Sequence, residues 1–204
     1  MTFDPRAHIN ASASRAEAKA WEVWTDELFD RFDASPEGRA LDEDARLLGI
    51  FLQLAHSYHD AFLDTLTEGD VESMLLHTFP RKVVLDPDEA GGVVQELRAF
   101  FTFCGREFGL QNMPECLKVL TPRLERTFRS ALGDTRNFGM AKSFMTGGAI
   151  AGFNMQTQAG LDAWAAVQNQ MDAPRKPDLQ RPSAAPRKNA EPTPKKKPRR
   201  GGGL

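Results

Sequence analysis

The chain has 204 residues, of which 41% are apolar and 26% charged, with two cysteines. That is enough for one domain with a sizeable core, and it excludes a disordered or disulfide-stapled chain. The formal net charge of −2 hides a segregation. Ten Lys and Arg against Asp172, Asp178 and Glu191 leave residues 172–204 at +7, and residues 1–171 at −9. An acidic body repels polyanions, whereas a cationic tail attracts them, or attracts the body itself.

The opening MTFDPRAHINAS has no apolar stretch of the signal-peptide kind. It is read as a flexible N-terminus over residues 1–11. Between Ser12 and Phe32 the large apolar residues Trp21, Trp24, Leu28, Phe29 and Phe32 fall on one helical face. Ser35-Pro36-Glu37-Gly38 breaks that helix. A second helix is expected over residues 40–66, with Leu48, Phe51, Ala55, Tyr58, Phe62 and Leu66 on its buried stripe. A short one over residues 70–77 is expected to stop at Phe79-Pro80, because the residue before proline disfavours helix. Arg81 to Leu85 reads as extended loop.

Asp86-Pro87-Asp88-Glu89 has the makings of a helix start: a capping Asp, Pro in the first turn, and Glu at the capping-box position. That helix runs to Phe108 and stops at Gly109. Asn112 is expected to cap the next, with Pro114 in its first turn and an end near Gly133; Pro122 kinks it or splits it in two. Further helices are expected over residues 137–151 and from Thr157 to Met171, the last burying Leu161, Trp164 and Val167. Six or seven helices make an all-α bundle or orthogonal array over residues 12–171. No repeat of 20–50 residues is evident. Residues 172–204 hold seven of the thirteen prolines and no aromatic residue. Too apolar-poor to offset ordering entropy, they read as a disordered basic tail.

Several patterns carry candidate chemistry. His56 and His59 share a helical face, with Asp60 beside them, and imidazoles with carboxylates bind zinc or iron. A metal site needs three or four ligands, however, and His8 and His77 are the only other histidines; the alternative is a solvated face. Ser57 next to His56 and Asp60 cannot form a triad, because neighbours on one helix do not line up as nucleophile, base and orienter. Phe79-Pro80-Arg81-Lys82 sets two cations, Arg81 and Lys82, straight after a helix end, where they could grip an acidic partner or simply be solvated. Gly139-Met140-Ala141-Lys142-Ser143 lacks the spacing and strand of a phosphate loop. Gly147, Gly148 and Gly152 recur at helical spacing and point to close packing. Cys104 and Cys116 read as small buried residues in a reducing compartment. Residues 144–153 form the longest weakly polar stretch, about half the length needed to span a bilayer. The expected setting is the cytosol, with no membrane insertion and no cofactor.

The tail is the strongest local signal. Lys195, Lys196, Lys197, Arg199 and Arg200 pack five cations into the seven residues 194–200. Such cations neutralise phosphates without sequence preference. With no aromatic interleaved, stacking on single-stranded bases is not offered.

The strings LLHTFPRKVV, ELRAFFTFCGREFGL, NFGMAKSF and AGFNMQTQAGLDAW, spread over residues 75–170, resemble an uncharacterised family of bacterial helical proteins, some members of which carry a C-terminal SEC-C zinc motif. The resemblance implies a bacterial cytosolic helical domain and no reaction. SEC-C motifs are cysteine-rich clips associated with protein or ribosome contact. The tail here has no cysteine, so no zinc ligands carry over. Three functional expectations follow: a helical interaction or regulatory module that binds a protein partner; a protein tethered to RNA, DNA or the ribosome by its tail; and a metal-dependent enzyme around His56, His59 and Asp60.

Overall fold

The computed structural model describes residues 3–10, 12–41 and 47–172, and within them every regular element is helical. The expected disordered tail and its cation cluster lie outside the described residues. Two compact units divide after Trp164. The first carries everything described below, and in the second residues 165–172 continue a helix.

Helix α1 (Arg15–Ala34) starts where the Ser14 hydroxyl accepts the Glu17 amide and buries Trp24, Leu28 and Phe32. Ser35 ends it and caps the single turn α2 (Pro36–Arg39). Helix α3 (Leu48–His59) is half as long as the sequence pattern promised. Asp60 takes a left-handed φ of 49°, and the amides of Asp60 and Ala61 fold back on the Ala55 carbonyl, closing the helix. Ala61, Leu63 and Leu66 are buried all the same, from a loop. The apolar spacing thus ran on past the end of the helix, through Phe62 and Leu66, and within the helix Tyr58, placed on the buried stripe, is 54% exposed.

Thr67 and Asp70 form a capping box at the start of α4 (Glu68–Ser73). The expected stop at Phe79-Pro80 does not occur. The helix widens into a π-turn over Met74–Thr78, the Phe79 amide reaching back to the Met74 carbonyl, and continues as α5 (Phe79–Lys82). The wider turn accommodates the ring and missing N–H of Pro80, which a regular helix would not tolerate. Arg81 and Lys82 are accordingly the end of a helix, not a loop after one. Val83 is extended, as expected.

The Asp86–Glu89 capping box forms as the sequence indicated, in a 3₁₀ turn leading into α6 (Ala90–Phe108), which Gly109 closes with φ 62°. Asn112 is not the side-chain cap expected of it. Its amide instead donates to the carbonyls of Leu63 and Leu66, at 3.0 and 2.9 Å, tying down the loop after α3. Pro122 splits the next segment into α7 (Met113–Val119) and α8 (Pro122–Gly133), with Thr121 capping the latter. Helices α9 (Met140–Ile150) and α10 (Gln158–Asp172) follow.

The core is built on phenylalanine. Phe32, Phe51, Phe79, Phe100, Phe101, Phe103 and Phe128 are all essentially inaccessible, and edge-on or tilted contacts link them across α1, α3, α5, α6 and α8. That cluster draws on α1 and on α3 to α8, and takes nothing from residues 139–164. The turn joining α9 to α10 closes on itself: the Trp164 indole donates to the Phe144 carbonyl at 2.9 Å, and its ring meets Phe144 and Phe153. A Cβ on Gly148 would lie 2.2 Å from the Met155 sulfur and 2.9 Å from Trp164 Cδ1, so a larger residue there would have to displace the Met155 side chain and crowd the indole. No helix among the described residues is long and apolar enough to cross a membrane.

Candidate functional site

His56, Ser57, Tyr58, His59 and Asp60 line an open depression of about 560 Å³, together with Asn10 and Ser12. The two imidazoles do not converge within it. His56 Nε2 lies 3.3 Å from Asn10 Oδ1, and its ring packs against Phe62 and Trp21. His59 turns toward α4 and the π-turn, with Nδ1 3.5 Å from Asp70 Oδ1 and Nε2 3.2 Å from Thr78 Oγ1. Asp60 is spent on the left-handed close of α3. His8, stacked face to face on Phe62 at 4.2 Å, reaches Asp64 at 2.8 Å. Each imidazole thus has its own partner on a separate element. Among the described residues no group of three or more His, Cys, Asp or Glu is placed to hold a metal.

These contacts pin the N-terminal segment, which the sequence suggested was flexible. Phe3 lies against Trp24 and Phe108 with the Arg31 guanidinium 4.9 Å above its ring, and the Trp24 indole donates to the Asp4 carbonyl at 2.8 Å. The depression is therefore a seam where that segment meets α3. His56 and Asn10 join across it, and His59 reaches out of it to Asp70 and Thr78, while His56 Nδ1 is buried without a hydrogen-bond partner among the described residues.

A second constellation lies where α5 meets the start of α9. The Gly139 amide donates to the Arg81 carbonyl at 3.0 Å, and the approach is so close that a Cβ on Gly139 would sit 2.8 Å from that oxygen. One turn on, Lys142 is only 4% exposed. Its ammonium donates to the Pro80 carbonyl at 3.0 Å and stands 4.0 Å over the Phe138 ring. Burial without a carboxylate pushes the Lys142 amine below its ordinary value. Two of the quoted strings, FPRK and NFGMAKSF, are thereby brought face to face.

Around this junction the surface is exposed and mixed. Met140 is 92% and Val84 68% exposed. Arg81 and Lys82 are both exposed as well, and the Lys82 ammonium rests 4.8 Å above the Tyr58 ring. Sequence reasoning weighed Arg81 and Lys82, met Met140 and Lys142 only within a rejected phosphate loop, and passed over Val84. The only available signal was that an uncapped helix start, Gly139-Met140, put a large apolar side chain at a first-turn position. The two thiols are buried in the core; burial pushes Cys104 well up and Cys116 up to about 11, so neither is a ready nucleophile. The cations Lys195, Lys196, Lys197, Arg199 and Arg200 lie outside the described residues. Compared with known proteins, the chain matches no family model, no curated protein and no solved structure.

Proposed function

We propose that this chain is a helical protein-interaction module of the bacterial cytosol, docking its partner at the edge where α5 meets α9. The observation that carries the reading is the exposure of Met140 and Val84, at 92% and 68%, on either side of the Gly139–Arg81 hydrogen bond. Single exposed apolar residues need no explanation. Two that flank a hydrogen-bonded junction in sequence, Met140 directly after Gly139 and Val84 three residues after Arg81, with the exposed cations Arg81 and Lys82 on the same segment, supply the residue types of an interface. The π-turn that presents α5 adds support, since such turns are concentrated at functional sites. The resemblance to bacterial helical proteins of unassigned reaction is consistent with binding rather than catalysis.

The test is quantitative capture from cells with the tagged full chain and its Val84→Asp/Met140→Asp variant. A protein held by the parent and depleted about tenfold by the variant, a 1.4 kcal/mol loss, supports the reading. Identical capture by both sinks it.

Charge segregation favours one further reading: Lys195, Lys196, Lys197, Arg199 and Arg200 tether the protein to RNA, DNA or the ribosome. Five phosphate contacts give a log–log salt slope of about −4.5 on duplex DNA. Fluorescence anisotropy with the full chain and a chain ending at Met171 decides it; equal binding by both removes the tail from the account.

A further inference from the structure

We infer that residues 3–10 are a strap that acts as a built-in ligand. It fills an aromatic groove of the body, lifts away while the body stays folded, and yields the groove to a partner protein's segment of the same side-chain pattern. What lies beneath the strap is the first observation. Phe3 meets the rings of Trp24 and Phe108, and His8 stacks on Phe62. Trp21 adjoins Trp24 and the His56 imidazole. With the strap lifted, Trp24 and Phe108 lose the ring that covers them, and Phe62 loses its stacked partner. An apolar face drawn from α1, the end of α6 and the loop after α3 then opens to water, which is the kind of surface that binds.

How the strap is held is the second. Its odd-numbered residues, Phe3, Pro5, Ala7 and Ile9, are partly covered, the even-numbered ones between them are exposed, and none is fully buried. Its backbone bonds are local: the Arg6 amide donates to Asp4 Oδ1, the Ala7 amide to the Asp4 carbonyl, and the Ser12 and Ala13 amides to Asn10. Among the described residues no backbone-to-backbone hydrogen bond joins it to the body. The polar ties run through side chains instead, from the Trp24 indole to the Asp4 carbonyl, from Arg6 to the Phe108 carbonyl, from His8 to Asp64 and from His56 to Asn10. A segment held this way opens locally, well below the cost of global unfolding.

The strap also specifies what replaces it. An aromatic ring enters the corner between Trp24 and Phe108 under the Arg31 guanidinium, and an imidazole five residues later lies on Phe62 and reaches Asp64. The turn between them is closed by the strap's own atoms, so little order is lost on binding. Tethering gives the strap an effective concentration on the order of millimolar, so the parent chain resists a competitor and a weakened strap admits it.

The experiment measures fluorescence anisotropy of a labelled peptide spanning residues 2–12 with the full chain and with its Phe3→Ala/His8→Ala variant. The variant is expected to keep the parent's helical circular dichroism and to bind the peptide at least about tenfold more tightly than the parent does. A peptide carrying the same two alanines is expected not to bind. Equal binding by parent and variant, or no binding by the variant, overturns the inference. Loss of the body's helicity in the variant overturns it too, since the strap would then be part of the fold. Trypsin on the unaltered chain gives an independent reading. The bond after Arg6 is expected to be cut while the body stays helical, and a cut that waits for the body to unfold overturns the inference. None of these outcomes bears on the α5–α9 edge, which shares no residue with the strap or its groove.

Discussion

Replacing Trp164 by alanine tests whether residues 139–164 stand apart from the phenylalanine core. Trp164 is 7% exposed, stacks near Phe144 and Phe153, and spends its indole N–H on the Phe144 carbonyl. Truncating a buried Trp to Ala costs about 3–5 kcal/mol, of which about 1 kcal/mol is the lost hydrogen bond. None of the core phenylalanines contacts this ring, so the loss should fall on α9 and the start of α10 alone. In native-state hydrogen exchange, amides of residues 144–150 in Trp164→Ala should lose protection by about 10²- to 10³-fold, at a factor of ten per 1.4 kcal/mol. Amides of residues 97–104 in α6 should be unchanged. Equal loss in α6 would refute the reasoning, because it would make the α9–α10 turn part of one cooperative unit with the core.

Two further outcomes follow from local chemistry. The Arg106 guanidinium, 2.8 and 2.9 Å from the two oxygens of Glu37, holds that carboxyl down at about 2. A lowered acid stabilises the fold above its ordinary value near 4.5 and loses that contribution as pH falls toward 2. Arg106 is half exposed, so solvent screens the pair, and Glu37→Gln should flatten the pH dependence of urea-unfolding stability between pH 4.5 and 2. Asp60 holds a left-handed φ of 49°, which costs a non-glycine residue roughly 1 kcal/mol. Asp60→Gly should therefore raise the unfolding midpoint; a drop would show that the carboxylate itself secures the end of α3.

How much of this was legible in the residues depended on range. Local hydrogen-bond chemistry read true: the Asp86–Glu89 capping box and the split at Pro122 involve partners three residues apart. Helix ends set by distant partners did not. Nothing near Ala61 announces that Asn112, about fifty residues on, will hold its loop in place, so the apolar spacing through Leu66 looked like continuing helix. Pro80 misled for the opposite reason, because proline normally ends a helix and here a π-turn absorbs it. For the site, the cations Arg81 and Lys82 were visible from their types. Their setting was not, since it depends on Gly139 arriving against the Arg81 carbonyl from almost sixty residues on. Lys142 was weighed only as part of a failed phosphate loop. Its burial against Pro80 depends on a chain crossing that spacing does not encode.

The π-turn at Met74–Thr78 amounts to one residue of slack wound into an otherwise continuous helix. Removing one residue from it would close the turn to regular winding and leave no wide turn to take the ring of Pro80. Such a deletion is expected to break the helix before Arg81 and to disturb the carbonyls of Pro80 and Arg81 that receive Lys142 and Gly139. The slack is thus what lets a proline sit inside a helix whose far end makes that junction.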